Sequence, residues 1–213
     1  MRTIKLWALL PVIVFGWVNA SVAETYNFTC ITGNNVGDCT IGETQLVVDV
    51  TDAGVVAGVQ KVDFTFTNAG AAQSTISEIY FDDGTLLGIF AINSTAGVEF
   101  SEGATPPNLP GGLDPTVSFV ADFAADADNP APKKGVNAGG VDQVTITFDL
   151  INGKTYADTI DAMGTDLRIG LHVINFASGG SESFVAPAEV PVPAAAWLFG
   201  SALISLLGFK RKR

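Results

Sequence analysis

Three aspartates have a spacing that could support a cation-binding loop. Asp122, Asp126 and Asp128 lie within seven residues, where a predicted strand runs into a loop. Ca²⁺ takes about six to eight oxygen ligands, which clustered Asp side chains and loop carbonyls can supply. The glycine and terminal glutamate of an EF-hand loop are missing. Two interpretations stay open, a calcium site and a solvated acidic loop partly neutralised by Lys133 and Lys134, and the second is favoured.

The residues needed for nucleophilic or zinc chemistry are scarce. The chain has one histidine, His172, and period-two alternation puts it on the polar face of a predicted strand. A catalytic triad needs a base held between a nucleophile and a carboxylate. The stretch from Gly179 to Ser183 lacks the closing glycine of a nucleophile elbow. Zinc sites require several His or Cys ligands. We therefore predict no catalytic residue and no enzymatic activity.

The two cysteines, Cys30 and Cys39, lie close together before the main strand pattern. In an exported protein such a pair is expected to form one small disulfide loop. The alternative is a two-cysteine metal site. It is disfavoured because no histidine or further cysteine lies nearby in the sequence.

The charge is concentrated in the middle of the chain. Of 11 basic residues, six lie in the first five and last four positions, whereas all 22 acidic residues lie between Glu24 and Glu189. That middle part therefore has 5 basic and 22 acidic residues, a net charge of −17. A polyanion would be repelled, so nucleic acid is excluded as a partner and soluble cations are better candidates.

The N-terminus has the three parts of a signal peptide. Arg2 and Lys5 precede an apolar run over residues 6–18, which is followed by Ser21-Val22-Ala23. This order predicts a signal helix in residues 1–23, cleaved after Ala23, with Ala20 as the second choice. A retained anchor is disfavoured because thirteen apolar residues are few for a bilayer span.

The C-terminus combines a proline motif, an apolar run and a basic end. Residues 194–209 carry no formal charge and would form a helix about 24 Å long. The basic end would stay in the cytoplasm by the positive-inside rule, so the middle of the chain faces the other side. The proline motif is Val190, Pro191, Val192 and Pro193, and the membrane-stop residues are Lys210, Arg211, Lys212 and Arg213.

This tail resembles the PEP-CTERM sorting signal of exported proteins in Gram-negative bacteria that make extracellular polysaccharide. Val192 stands where the family motif usually has Glu, so the tail is similar to a Val-Pro-x-Pro variant. The resemblance implies recognition by a membrane-embedded exosortase, which cleaves near the prolines. A plain, unprocessed anchor is the alternative. The segments 80–87, 108–112, 167–173 and 179–184 also resemble one PEP-CTERM subfamily, which implies an architecture and no site.

The middle of the chain alternates between apolar and polar residues. Five runs do so, around residues 46–51, 61–67, 117–123, 144–150 and 167–173, and further strands are predicted over 24–31, 77–82, 86–92 and 98–100. One short helix is predicted over 156–163. The expected fold is mainly β, an antiparallel sandwich of jelly-roll type. The expected organisation is a signal peptide (1–23), a β-sandwich domain (24–176), a linker (177–189) and a sorting signal (190–213).

Three functions compete. The first is a non-catalytic protein of the cell surface or extracellular matrix, exported by the Sec machinery, anchored in the inner membrane and sorted by an exosortase. The second is a module that binds extracellular polysaccharide. Its binding either depends on Ca²⁺ or needs no cofactor. It is weakened because Trp7, Trp17 and Trp197 all lie in the targeting ends. A hydrolase is the least favoured.

Overall fold

The computed structural model describes residues 23–187. The predicted signal sequence before Ala23 and the predicted sorting signal from Val190 lie outside these residues. The helices are α1 (Val36–Gln45), α2 (Ala131–Lys134) and α3 (Tyr156–Ala162). The strands are β1 (Glu24–Asn27), β2 (Thr29–Cys30), β3 (Leu46–Val56), β4 (Val59–Asn68), β5 (Thr75–Asp83), β6 (Leu87–Ser94), β7 (Phe100–Glu102), β8 (Phe123–Ala127), β9 (Val136–Asn137), β10 (Gln143–Leu150), β11 (Leu167–Ile174) and β12 (Glu182–Ala186).

The strands form two antiparallel sheets. The five-stranded sheet has the order β1-β3-β4-β10-β6. The seven-stranded sheet has the order β2-β12-β11-β5-β8-β7, and β9 adds a short pairing to β5. The mainly β, antiparallel prediction is therefore confirmed, and neighbouring strands often come from distant parts of the chain.

The main core lies between the inner faces of the two sheets. Phenylalanines of the five-stranded sheet meet Phe81 of β5 edge to face, with ring centroids 5.2 Å apart for Phe64 and 4.8 Å for Phe148. Alternation places Val62, Phe64 and Phe66 on the same inner face of β4, where all three are fully buried. The predicted period-two runs on β3, β4, β10 and β11 are thus the inward faces of real strands.

The described residues contain three helices where the sequence predicted one. The predicted helix over 156–163 is present as α3, which begins with a capping box formed by Thr155 and Asp158. The α1 helix was missed because two glycines, two threonines and no clear apolar stripe make its sequence a poor helix former. Gly42 is required here, since a Cβ would lie 2.1 Å from the Phe184 ring.

Two further expectations are corrected. Residues 117–122 form a loop, not a strand, although Val117, Phe119 and Ala121 alternate as a strand would. These side chains instead pack against the outer face of the seven-stranded sheet.

The expected linker over 177–189 contains β12, which lies between β2 and β11 and has Phe184 and Ala186 fully buried. The domain therefore extends to Pro187 at least.

Candidate functional site

A row of polar side chains crosses the outer face of the seven-stranded sheet. Strand register puts Ser183 opposite His172, His172 opposite Glu78, and Glu78 opposite Asp126. Ser101 on β7 continues the row beyond Asp126. We call these five residues the polar row. Neighbours in the row are 11 positions apart for His172 and Ser183 and 94 apart for Glu78 and His172, so pairing of the strands brings most of them together.

Glu78 is the centre of the hydrogen bonds in this row. The Tyr80 hydroxyl lies 2.8 Å from Glu78 Oε2, and His172 Nδ1 lies 2.9 Å from the same oxygen. Glu78 is buried and Tyr80 fully so. The Tyr80 hydroxyl also lies 3.0 Å from the Pro106 carbonyl oxygen, a second acceptor for its proton. Burial, followed by the hydrogen bond to Glu78, raises the pKa of Tyr80, so the phenol stays protonated and remains a donor.

Asp126 adds a second carboxylate beside Glu78. Desolvation by burial raises the pKa of Asp126, and the negative charges of Glu78 and Asp128 raise it further. The electrostatic effect of His172 lowers the pKa of Asp126. The row is therefore a place where negative charge is crowded, with one imidazole to offset it.

The segment over residues 103–122, which we call the cover loop, closes over the neighbouring part of this face. Leu109 and Phe119 from the loop pack on Tyr80 and form a small core separate from the main one. Gly170 permits this contact, because a Cβ there would lie 2.7 Å from Leu109 Cδ2. The loop can thus approach the backbone of β11 directly.

Arg168 fastens the cover loop to the sheet. Its guanidinium donates to the carbonyl oxygens of Val117, at 2.7 Å, and Ser118, and it forms an ion pair with Asp82. The same guanidinium lies 5.4 Å from the centre of the Phe119 ring, within cation–π range. One side chain on β11 therefore contacts the loop at three consecutive residues.

The geometry at the histidine does not activate a serine. Ser183 is the cross-strand neighbour of His172, but it is fully buried and its Oγ has no hydrogen-bond partner among the described residues. Nucleophilic catalysis requires the serine and the base to be within hydrogen-bond reach and open to substrate. The Glu78–His172 pair corresponds to the carboxylate and the histidine of a catalytic triad, and the activated nucleophile is missing from it.

The three aspartates predicted to bind calcium have separate partners. Asp122 Oδ2 accepts a hydrogen bond from the Asp83 backbone amide at 3.0 Å, and Asp128 Oδ1 accepts one from the Ser101 hydroxyl at 2.8 Å. Asp126 and Asp128 line a groove of about 380 Å³, whereas Asp122 lines a neighbouring groove of about 320 Å³. Calcium binding by the three residues together stays a prediction.

A different set of potential metal ligands meets at the disulfide. Cys30 and Cys39 are bonded, as predicted, with Cα atoms 5.4 Å apart. Glu182 lies beside them, and this is the one group of three or more acidic, Cys or His residues within residues 23–187 whose ligand atoms all lie within 4.8 Å of one another. The bonded sulfurs are not thiolates, so the group is no metal site in this form.

Glu182 instead organises the start of α1. Its carboxylate accepts hydrogen bonds from the Thr32 hydroxyl at 2.5 Å and from the backbone amides of Asn34 at 3.0 Å and Asn35 at 2.5 Å. Asn35 then caps the helix by accepting from Gly37 N. Glu182 lies in the predicted linker, and no local sequence pattern predicts this role, because its partners are about 150 positions earlier in the chain.

The residues that carry the sorting prediction lie outside the described part of the chain. These are the proline motif, 190–193, and the membrane-stop residues, 210–213. Within residues 23–187, no helix has both the length and the apolar character needed to cross a membrane. No family model, curated protein or solved structure matches this chain.

Proposed function

We propose that this chain is an exported, non-catalytic protein of the bacterial cell surface or extracellular matrix. It is brought out by the Sec machinery, held in the inner membrane by its C-terminal segment with the β domain in the periplasm, and then sorted by an exosortase. The observation that carries the proposal is the order of motifs at the C-terminus. A proline motif, sixteen residues without formal charge and four consecutive basic residues follow one another.

The folded domain is consistent with this role in two respects. A disulfide closes the Cys30–Cys39 loop, and such bonds persist in oxidising compartments outside the cytoplasm. The lone histidine is engaged by Glu78 and its serine neighbour is buried, which disfavours a hydrolase. A net charge of −17 over residues 24–189 would also keep the released domain from associating with anionic surfaces.

Cell fractionation in hosts with and without the exosortase tests the proposal. We expect the protein to be smaller and at the surface when the enzyme is present, and full length in the inner membrane when it is absent. A chain lacking residues 190–213 should remain in the periplasm as a soluble protein. Replacing the four basic residues should weaken both retention and processing; the variants are Lys210→Ser, Arg211→Ser, Lys212→Ser and Arg213→Ser.

The matched control for these variants keeps the tail and changes the domain. Lys133→Ser and Lys134→Ser remove two basic residues from α2 and should leave sorting unchanged. Identical mobility and identical location in both hosts would mean that the tail is a plain anchor, and the sorting proposal would be wrong.

A second candidate is binding of extracellular polysaccharide. The observation that favours it is the 380 Å³ groove beside the polar row, where the carboxylates of Asp126 and Asp128 and the polar side chains of Ser101, Thr105 and Asn129 can hydrogen-bond sugar hydroxyls. A jelly-roll sandwich, the finer fold that we propose for the two sheets, is an architecture that lectins use. Against it, the tyrosines of the domain are not exposed stacking platforms: Tyr80 is fully buried, and Tyr26 and Tyr156 are partly buried against the main core.

A glycan array probed with and without Ca²⁺ separates the two candidates. Sugar binding that Asp126→Asn and Asp128→Asn abolish would establish the second candidate and place its site in the groove. Binding that depends on Ca²⁺ would also establish the calcium prediction. An array without specific binding in either condition leaves the structural role as the function of the domain.

A further inference from the structure

The hairpin formed by β3 and β4 ends in an exposed apolar tip. Val55, Val56 and Val59 are 65%, 52% and 37% exposed, and the two residues of the turn between them are Ala57 and Gly58. Both turn residues have positive φ, 52° and 85°, as a two-residue hairpin turn of type I′ requires. We call residues 55–59 the hairpin tip. It contains five residues and no polar side chain.

The hairpin tip extends beyond the rest of its sheet. On one side, β1 pairs with β3 no further than Val50. On the other side, β10 pairs with β4 no further than Lys61. Beyond these positions the two strands of the hairpin pair only with each other, as at Val55 and Gln60. At a strand rise of about 3.3 Å per residue, the tip projects roughly 10 Å past its neighbours.

The tip projects from the end of the sandwich at which the described chain stops. Following the register from the hairpin, Lys61 lies opposite Asp149 and Leu150 lies opposite Leu87, which begins β6. The turn over residues 84–86 joins β6 to the end of β5 at Asp83. Asp83 in turn lies opposite Leu167, and Ile169 lies opposite Ala186 near the end of β12. Pro187 therefore leaves the sandwich at the same end as the tip.

This end also carries most of the exposed large apolar side chains of the described residues. Ile151 lies there beside the 84–86 turn, with its backbone amide bonded to the Leu86 carbonyl. Val120 of the cover loop also lies there, since its backbone amide donates to Asp82 Oδ2 near the end of β5. The two exposed valines at the opposite end are Val36 and Val141.

The chain beyond Pro187 limits how far this end can be from the predicted membrane segment. Seven residue steps separate Pro187 from Ala194, where the uncharged run begins. A fully extended chain of that length spans at most about 25 Å. While the chain is anchored, the end bearing the hairpin tip must therefore remain close to the bilayer surface.

We propose that the hairpin tip enters the interfacial region of the lipid bilayer while the chain is anchored by its tail. Apolar side chains enter this region to a depth of about 5–10 Å, which matches the projection of the tip. A second copy of the chain is a poorer occupant, because two domains of net charge −17 repel each other. The same charge favours zwitterionic lipid over anionic lipid. The inference rests on the proposed function, since it concerns the anchored form.

A fluorescent label on the tip of the full-length chain tests the inference. The two native cysteines are bonded to each other, so a single introduced cysteine is the one reactive thiol. We would attach an environment-sensitive dye to Val56→Cys and, as the matched control at the opposite end, to Val141→Cys. Both proteins are inserted into phosphatidylcholine vesicles and challenged with iodide in water and with nitroxide-bearing lipids.

We expect the label at position 56 to shift its emission to shorter wavelength, to be quenched by the nitroxide lipids and to be protected from iodide. The label at position 141 should show the reverse. Adding Val55→Asp to the Val56→Cys protein should return its label to aqueous behaviour. Val55 is exposed, so this variant should fold, and circular dichroism would check that it does.

The contradicting outcomes are distinct from one another. If the chain floats with the vesicles and iodide reaches both labels equally, the tip proposal is wrong and the anchoring stands. If the position 56 label responds to protein concentration instead of nitroxide lipid, a second copy covers the tip and the lipid proposal is wrong. If the full chain does not float with vesicles, the anchoring in the proposed function fails and the tip proposal fails with it.

Discussion

The two faces of the seven-stranded sheet are built by the same strands and are stabilised in different ways. The inner face packs apolar side chains such as Phe81, Leu171 and Phe184 into the core between the sheets. The outer face carries the polar row and the cover loop, with Tyr80, Leu109 and Phe119 as its small apolar core. On β5, residues that alternate along one strand therefore enter two unlike environments.

The difference lies in how specific the stabilising contacts are. The inner face depends on buried area and shape, which many apolar side chains can supply. The outer face depends on particular hydrogen bonds, above all those made by Arg168 and Glu78. A substitution on the inner face should therefore lower global stability, whereas one on the outer face should loosen the cover loop or change the pH dependence.

The largest expected effect is at the centre of the inner face. Phe81 contacts Phe64, Phe66 and Phe148 edge to face and is almost fully buried. Phe81→Ala should lower the free energy of unfolding by about 3–5 kcal/mol through lost burial and the cavity left behind. Urea unfolding followed by circular dichroism measures the loss. The control, Val56→Ala at an exposed position, should change stability by less than about 0.5 kcal/mol.

The next largest effect is expected at Arg168 and should be local. Arg168→Met keeps much of the side-chain volume but leaves the Val117 and Ser118 carbonyls and the Asp82 carboxylate without their donor. Hydrogen bonds to a charged group contribute about 1.5–3 kcal/mol. The free energy needed to open the cover loop should therefore fall by about that amount. Hydrogen exchange should accelerate over residues 103–122 and remain slow in β3, β4 and β10. Equal acceleration in both regions would contradict the separation of the two faces.

The inner face could be predicted from the sequence and the outer face could not. Period-two alternation identifies Val62, Phe64 and Phe66 as inward-facing because a half-buried strand has no other way to segregate them. The same rule gave a false strand at Val117 and Phe119, where alternate residues of a loop pack on a sheet. Periodicity reports which side chains are buried and not which element buries them.

The candidate site could not be predicted from the sequence for a different physical reason. Glu78 and His172 are 94 residues apart, and antiparallel pairing of β5 with β11 brings them together. Glu182 and Thr32 are 150 residues apart. Pairings over such distances leave no local pattern. The cysteine pair could be predicted because its nine-residue separation makes it a local feature.

A smaller effect is expected from the tyrosine that joins the two components of the outer face. Tyr80→Phe removes the hydroxyl that lies between Glu78 Oε2 and the Pro106 carbonyl but keeps the ring under Leu109 and Phe119. The loss of a donor to a buried carboxylate should cost about 1–2 kcal/mol. Thermal unfolding measures this change, and Tyr156→Phe, at a hydroxyl that donates to the Val50 carbonyl at 3.0 Å, gives the comparison for a neutral acceptor. A larger loss for Tyr156→Phe would mean that the Glu78 network contributes little.

The smallest effect is expected at Asp126, and its sign depends on pH. Desolvation by burial, then the charges of Glu78 and Asp128, raise the pKa of Asp126 above its ordinary 3.8, so the folded protein binds this proton more tightly than the unfolded chain does. The resulting stabilisation is fully present below pH 3.8 and is lost as the pH rises through the folded-state pKa. Asp126→Asn should therefore be more stable than the native protein at pH 7, by roughly 0.5 kcal/mol for a partly screened charge, and the gain should shrink on acidification.

Asp158 provides a control of opposite sign on the same measurement. The hydrogen bonds from the Thr155 side chain and backbone hold the pKa of Asp158 below its ordinary value. Its contribution is therefore present above pH 3.8 and is lost as the pH falls, so Asp158→Asn should be less stable than the native protein at pH 7. Denaturation of both variants across the acid range, repeated with Ca²⁺ and with chelator, checks the pair of signs. A loss of stability in Asp126→Asn at pH 7 that appears only with Ca²⁺ would show that a bound cation offsets the crowded charge, and would make the groove beside the polar row a calcium site after all.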